Sequence, residues 1–404
     1  MSLMMHSASW WGAPKKFDPH FKERRISWLE LFYDLVYVIA ISRITSLLGA
    51  HISAAGFFTY AFFFMLIFWG WVNGSLYHDL HGSEGLRTRL MTLWQMMIIA
   101  ALAICIDKNS FVNIIIVFMI MQLFITYLWW SVGIYDKEHR KYNRPYTLLY
   151  LLSLGLMGLC LMVPAGYTKY ILPFVILLNY IPPFVTNIIL HRHSLELSLS
   201  SSMTERLGLF TIIVFGEVVL GVVNGISKAS VLNLNTWLCF GLALAVVFTL
   251  WWLFFTMISN RDAQKGFVKA SLLEILYVPA LMSLGLIAAM LGHMFVPATS
   301  IDHSGMDLYA IFGYSLTTFL VCISLIMALL QYPAIVDRIR TRVRISLCVT
   351  ALVFLIIALI GPAMQPAYYL LMVLCILLAE IYYLNALYYG SGIHEERKKL
   401  QEEG

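Results

Sequence analysis

Two carboxylates, Glu30 and Asp34, lie inside the first long apolar stretch of the chain. Their spacing of four residues places both on one face of a helix, about 6 Å apart along its axis. A carboxylate that is charged at mid-depth in a bilayer costs roughly 2.5–3.5 kcal/mol, so such residues are seldom kept without a use. We therefore expect Asp34 to carry function. Glu30 either tunes it or forms an interfacial salt bridge with Arg24, Arg25 or Arg206.

A second carboxylate, Glu217, lies near the middle of the seventh apolar stretch, between Gly216 and Gly221. Glycines allow a neighbouring helix or a ligand to approach the backbone closely. Arg206 comes eleven residues earlier on the same helix face, about 16 Å away, which is too far to pair with Glu217. Two readings stay open for Glu217: a group that carries protons, or a neutral acid that joins helices by hydrogen bonds.

Three more charged residues fall within apolar stretches. Arg43 lies about 13 Å beyond Asp34 and on the opposite helix face, so its partner is expected on another helix. Glu380 lies deep in the last stretch, whereas Glu274 lies within two turns of a helix end, close enough to reach the interface.

The elements that must position these groups are long apolar helices. The composition is 60% hydrophobic and only 12% charged, and apolar runs of about 20 residues recur along the whole length. We predict an all-α polytopic membrane protein of about twelve transmembrane helices. They fall near residues 27–48, 54–77, 88–106, 110–135, 146–164, 169–190, 204–224, 234–259, 269–296, 307–332, 343–362 and 366–389.

The basic residues predict the orientation of these helices. With both termini in the cytosol, 23 of the 27 Lys and Arg fall in cytosolic segments and 3 in outward loops, as the positive-inside rule requires. The net charge of +5 therefore reflects topology, and we expect no nucleic-acid partner.

The predicted organisation has two halves, which we interpret as parallel six-helix repeats. The segments are an interfacial N-terminal segment 1–26, helices one to six in 27–190, a cytosolic loop 191–203, helices seven to twelve in 204–389 and a charged cytosolic tail 390–404.

Prolines and aromatic residues add local expectations. Pro173, Pro182 and Pro183 in the sixth helix and Pro279 in the ninth predict either broken helices or simple kinks. Asn73, Tyr77 and His81 recur every four residues and predict a polar stripe along a hydrated path. Tryptophans near helix ends predict an interface belt: Trp69, Trp71, Trp129, Trp130, Trp251 and Trp252.

The sequence lacks the motifs of several enzyme classes. It contains no Gly-rich phosphate loop, nucleophile elbow or metalloprotease His-Glu-x-x-His, which argues against an ATP-driven pump and the common intramembrane hydrolases. Its six cysteines have no metal-ligand spacing, so we predict no metal site and no cofactor.

Two motifs resemble the signatures of the low-temperature-requirement A family of bacterial membrane proteins. They are Arg25-Ile-Ser-Trp-Leu-Glu-Leu-Phe-Tyr-Asp-Leu-Val-Tyr37 and Glu205-Arg-Leu-Gly-Leu-Phe-Thr-Ile-Ile-Val-Phe-Gly-Glu217, and Leu86-Arg-Thr-Arg-Leu90 is also similar. The resemblance implies that the motif positions Glu30, Asp34, Glu205, Arg206 and Glu217 matter. The family is named for a cold-growth phenotype and has no settled activity. It often has a histidine before the proline of the ninth helix, where this chain has Tyr277, which weakens the case for a proton relay.

The leading hypothesis is a secondary transporter or ion pathway in the cytoplasmic membrane that carries protons or monovalent cations. The alternatives are a membrane-embedded enzyme or scaffold for an anionic lipid, active in cold adaptation, and an accessory protein whose buried charges fix helix pairing. The bilayer is the expected partner. The candidate pathway residues are Asp34, Glu217, Glu30, Arg206, Glu205, Arg43 and Glu380.

Overall fold

The computed structural model of the chain describes residues 26–50, 52–81, 85–135, 137, 140–189, 201–229, 231–259, 261–264, 266–295, 308–360 and 364–391. Nearly all of the predicted N-terminal segment, most of the connecting loop and most of the charged tail lie outside the described residues. Arg24 and Arg25, which were proposed as partners of Glu30, lie outside them as well.

Within these residues the chain forms thirteen α-helices. They are α1 Trp28–Ala50, α2 Ala54–His81, α3 Leu86–Asp107, α4 Phe111–Tyr135, α5 Arg140–Met162, α6 Ala165–Tyr180, α7 Pro182–Ile189, α8 Ser201–Ser227, α9 Leu234–Ile258, α10 Phe267–Met294, α11 Leu308–Leu329, α12 Ala334–Ile360 and α13 Pro366–Gly390.

Eleven helices in the described part of the chain are long and apolar enough to cross a membrane, which confirms the predicted all-α polytopic fold. The sixth expected span is instead two helices, α6 of 16 residues and α7 of 8, separated at Ile181. Proline favours the first turn of a helix because it has no N–H to donate, so Pro182 and Pro183 start a new helix. Pro173 and Pro279, by contrast, lie inside α6 and α10 without ending them.

The chain divides into two compact units. The first unit comprises residues 1–47, 58–206 and 265–271. The second unit comprises residues 48–57, 207–264 and 272–404. The boundary within α8 therefore falls between Arg206 and Leu207.

Helix α2 is the centre of the first unit. Between Tyr60 and Ser75 only Met65 is partly exposed, so this helix is enclosed on all sides. Its aromatic side chains pack against other helices: Phe63 stacks on Phe118 of α4 with ring centroids 6.0 Å apart. A helix enclosed in this way places its polar residues inside protein, away from lipid.

The second unit has a largely apolar core around α10. Phe215 of α8, Phe254 of α9 and Phe319 of α11 form an aromatic cluster with ring centroids 5.9–6.4 Å apart. Tyr277 of α10 is buried, with its ring centroid 6.2 Å from that of Phe254.

Two connecting segments of the second unit are joined by backbone hydrogen bonds. Gln264 N–H donates to the carbonyl of Leu329, and Gln331 N–H donates to that of Asp262, each at 2.8 Å. Beside them, the Tyr332 hydroxyl donates to the carbonyl of Met257 at 2.6 Å. Burial raises the pKa of Tyr332 to about 12, although nearby arginines lower it, so the hydroxyl stays a donor at neutral pH.

Candidate functional site

The first unit contains a fully buried ion pair between Asp34 of α1 and Arg206 of α8. Arg206 Nη2 donates to Asp34 Oδ1 at 2.7 Å, and the two side chains are 2% and 0% exposed respectively. The indole Nε1 of Trp71 on α2 donates to the same carboxylate oxygen, also at 2.7 Å. Three helices thus meet at one carboxylate. We call Asp34, Arg206, Trp71, Tyr33 and Tyr37 the ion-pair site.

Aromatic rings enclose the guanidinium group. The Cζ atom of Arg206 lies 5.8 Å from the ring centroid of Tyr33 and 5.8 Å from that of Trp71, within the range of cation–π attraction. Tyr37 lies next to Tyr33, with ring centroids 4.7 Å apart. The rings exclude water while still offering the cation a favourable electrostatic surface.

Two glycines on α2 make room for the tyrosines. A Cβ atom added at Gly74 would overlap the Tyr33 hydroxyl and lie 2.8 Å from Gln95 Oε1. A Cβ atom added at Gly70 would lie 2.8 Å from the sulfur of Met121 and 3.4 Å from the Tyr37 hydroxyl. The Gly-x-x-x-Gly spacing on α2 is a known signal of close helix approach, and sequence reasoning overlooked it.

The ion-pair site has more hydrogen-bonding capacity than its pair uses. Asp34 Oδ2, Arg206 Nε and Arg206 Nη1 are buried and make no hydrogen bond to any residue that the structure describes. The same holds for both polar atoms of the nearby Gln95 amide. Buried polar groups are nearly always satisfied, so a concentration of unused donors and acceptors around one ion pair suits the binding of a small polar species.

Glu30 has a local structural role at the start of α1. Ser27 N–H donates to Glu30 Oε2 at 3.3 Å, and Glu30 N–H donates to the Ser27 hydroxyl at 3.4 Å. This reciprocal pair is a capping box, which satisfies free N–H groups at a helix start. Glu30 is buried and lies one turn from Asp34, so its charge acts on the ion-pair site.

A neutral polar network lies deeper in the first unit. Asn73 Oδ1 accepts hydrogen bonds from the Tyr150 hydroxyl at 2.7 Å and from Trp129 Nε1 at 3.1 Å. Gln122 Nε2 donates to Asn179 Oδ1 at 2.9 Å. These bonds join α2 to α4 and α5, and α4 to α6.

The predicted tryptophan belt is wrong for half of its members. Trp69 and Trp71 are buried because α2 is enclosed, and Trp129 of α4 is buried with its indole N–H bonded to Asn73. The exposed members are Trp130, Trp251 and Trp252.

The predicted polar stripe on α2 also lies inside protein. Tyr77 and His81 pack edge-on against Trp129, with ring centroids 6.5 and 6.2 Å away, and Asn73 bonds the same indole. Nearby, the Asp79 carboxylate accepts a hydrogen bond from Ser202 of α8. Among the described residues, no group of three or more His, Cys, Asp or Glu side chains is arranged to hold a metal ion.

Two of the remaining candidate residues lie at the surface of the first unit. Arg43 Nη1 and Asp107 Oδ2 of α3 are 3.4 Å apart, with side chains 48% and 46% exposed, so Arg43 does have its partner on another helix. Glu205 is exposed, although it is the neighbour of Arg206 in sequence.

The acids of the second unit have different surroundings. Glu380 of α13 is buried and accepts hydrogen bonds from the hydroxyls of Ser346 and Thr350 on α12, at 2.7–2.8 Å. Glu217 is buried within α8, one turn before Gly221, where a Cβ atom would overlap the backbone of Ala288 on α10. Two hydroxyl donors therefore hold Glu380, where Asp34 has a cation and an indole N–H.

Comparison with known proteins places this architecture in a family. The family model for the bacterial low temperature requirement A protein (LtrA) matches residues 25–382, which include both signature motifs and the ion-pair site. No curated protein matches the chain.

Proposed function

Because the chain belongs to the bacterial low temperature requirement A family of multi-pass membrane proteins, we propose a transport function for its ion-pair site. In this proposal the protein is a secondary transporter or ion pathway in the cytoplasmic membrane. The Asp34–Arg206 pair is the group that takes up and releases the transported ions. The observation that supports this most directly is the complete burial of that pair.

Stability alone does not account for such a pair. Removing two charges from water costs several kcal/mol per ion, and replacing a buried ion pair by apolar side chains is often neutral or stabilising. Ionisable residues inside membrane segments mark ion or substrate pathways in most cases. Asp34 and Arg206 also leave donors and acceptors unused, which a purely structural pair would be expected to satisfy.

The chemistry of the pair favours coupling between a proton and a small anion. A proton on Asp34 cancels the negative charge that Arg206 faces, and the guanidinium then has its full charge and free N–H groups for an anion. Departure of the anion and the proton restores the ion pair. The site is neutral in both states, so neither state buries an uncompensated charge.

The other candidate residues take different places in this proposal. Glu30 tunes Asp34 from one turn away by charge repulsion. Glu217, buried in α8, is a second candidate proton carrier. Arg43 and Glu205 are exposed, and Glu380 is held by two hydroxyls, so we leave these three outside the pathway. The lipid alternative would use Arg206 for a phosphate, but in this structure Arg206 bonds Asp34.

Proton uptake into liposomes tests this function. Purified protein is reconstituted with a pH-sensitive dye inside, and uptake is followed under an imposed pH gradient with a panel of small anions outside. We expect uptake by the wild type that depends on one of the anions. We expect its loss in Asp34→Asn, in Arg206→Gln and in the double variant Asp34→Asn/Arg206→Gln, which keeps the site neutral and therefore folds more readily.

The control is Asp337→Asn. It removes the exposed carboxylate of an Asp–Arg pair on α12, in which Arg340, itself partly exposed, places Nη1 3.0 Å from Asp337 Oδ1. Wild-type uptake in this control is expected. Undiminished uptake in the folded double variant would refute the role of the pair, and anion-independent uptake would replace coupling by a simple proton pathway.

A further inference from the structure

A ridge of side chains on α5 changes from basic to apolar along its length. Arg140, Arg144, Leu148, Leu152 and Leu156 follow one another every four residues. Such a row is inclined to the helix axis by about 26°, so it winds around α5 as it rises. Four of the five side chains are exposed and Leu156 is partly exposed, and the apolar span begins at Asn143. The basic end therefore lies where a membrane interface is expected.

A cavity of about 370 Å³ lies between α4 and α5 at the basic end of this ridge. Gly133 of α4 forms part of the cavity wall, and a Cβ atom there would make ordinary contacts, at 3.7 Å, with Arg140 Cγ and Asn143 Cβ. The wall includes Trp129, whose indole N–H already bonds Asn73, and the exposed Trp130. Among the residues that the structure describes, the lining is Trp129, Trp130, Gly133, Ile134, Arg140, Asn143, Arg144, Thr147 and Leu148, which include two cations and no acid.

An apolar groove of about 490 Å³ lies between α5 and α6, farther along the same ridge. It is lined by Leu152, Leu156, Tyr170, Ile171, Phe174, Leu177 and Leu178. From Arg144 to Leu156 the helix rises about 18 Å, close to the roughly 15 Å depth of one leaflet of the hydrocarbon core. The ridge thus joins a basic cavity to an apolar groove over the length of one lipid chain.

We propose that this ridge binds one anionic phospholipid. The phosphate and head group occupy the α4–α5 cavity against Arg140 and Arg144, and one acyl chain follows Leu148 and Leu152 into the α5–α6 groove. Basic pockets between transmembrane helices suit anionic head groups, and tryptophans suit the level of the head groups. Two arginines, with no acid among the described lining residues, favour a net negative lipid over a zwitterionic one, and the exposed leucines favour a lipid over a free anion. This site is independent of the ion-pair site and of the transport proposal.

Native mass spectrometry of the purified full chain, titrated with phosphatidylglycerol and with phosphatidylcholine, tests the proposal. We expect the first phosphatidylglycerol to bind more tightly than phosphatidylcholine. Arg140→Gln/Arg144→Gln should weaken it roughly thirtyfold, which corresponds to about 1 kcal/mol per basic residue. The control Arg89→Gln/Arg342→Gln removes two exposed arginines elsewhere and should bind as the wild type does.

A second variant separates shape from charge. Gly133→Leu keeps both arginines but fills the cavity, so it should also lose the first phosphatidylglycerol, with unchanged melting temperature in detergent. Equal binding of the two lipids, or wild-type binding by the Arg140→Gln/Arg144→Gln variant, would overturn the proposal. Displacement of the lipid by inorganic phosphate at equal concentration would also overturn it, because the cavity would then be a free-anion site.

Discussion

The two units use the same glycine spacing for different purposes. In the first unit, Gly74 of α2 faces the side-chain hydroxyl of Tyr33, and Gly70 faces the sulfur of Met121 and, slightly farther away, the Tyr37 hydroxyl. In the second unit, a Cβ atom at Gly221 of α8 would overlap the main chain of Ala288 on α10, and one at Gly225 would meet the Phe295 ring and the carbonyl of Leu291. A Gly-x-x-x-Gly pattern therefore indicates close approach, but the neighbouring helix decides whether a polar side chain or a backbone fills the space.

The same difference extends to the buried acids. In the first unit Asp34 has a cation and an indole N–H, surrounded by unused polar groups. In the second unit Glu380 has two hydroxyl donors. The first arrangement can exchange a proton or an anion without leaving a bare charge, whereas the second resembles the hydrogen-bonded joints that hold membrane helices together.

The largest effect is expected from breaking the ion pair on one side only. Asp34→Asn or Arg206→Gln should lower the free energy of unfolding by about 3–5 kcal/mol, because the remaining charge is buried without a partner. Asp34→Asn/Arg206→Gln should recover a substantial part of that loss. Thermal unfolding in detergent measures all three variants. If the single variants are as stable as the double variant, the pair does not exist as described.

An intermediate effect should distinguish the two pairs of glycines. Gly221→Ala and Gly74→Ala should each cost about 1–3 kcal/mol by overpacking. Adding Tyr33→Phe should relieve part of the cost at Gly74, since the hydroxyl is the closest obstacle there. No single side-chain truncation can relieve the destabilisation caused by Gly221→Ala, because the added methyl group meets the backbone of Ala288.

The control for these glycine variants is Gly216→Ala, since a Cβ atom at Gly216 meets nothing within 4 Å. This variant should be neutral or slightly stabilising in the same unfolding measurement. An equal loss at Gly74 with and without Tyr33→Phe would remove the distinction between the two units.

The smallest effect is expected for Glu380. Glu380→Gln keeps a carbonyl that can accept from Ser346 and Thr350, and hydrogen bonds between membrane helices average about 0.6 kcal/mol. We expect a loss below about 1 kcal/mol in thermal unfolding and no change in proton uptake. A loss comparable with that of Asp34→Asn would show that the second unit also contains a demanding charged site.

Hydropathy predicted the helices because each span is recognisable from its own run of apolar residues. Eleven of the twelve expected spans are single long apolar helices. The break at Ile181 was one of two outcomes that Pro182 and Pro183 allowed. The burial of Trp71 could not be read from its position near a helix end, because it depends on the helices that enclose α2.

The ion-pair site was only partly accessible from the sequence. Asp34 and Arg206 were identified as unusual, but 172 residues separate them, and periodicity within one helix carries no information on which helix lies opposite. The contacts of Tyr37 and Tyr33 with Gly70 and Gly74 could not be predicted either, because they too join helices that are separate in sequence. A search for small residues four apart would have identified α2 as a helix of close contacts, but not the residues that contact it.

The separation of Asp34 and Arg206 along the chain also has a consequence for biogenesis. At about 5–20 residues per second, the ribosome adds the intervening 172 residues in roughly 9–34 s. During that interval α1 with Asp34 has been synthesised, but Arg206, which pairs with Asp34, has not. A nascent chain that ends before α8 therefore contains an acid without its counter-ion, which would mark the incomplete protein for retention by the insertion machinery or for proteolysis.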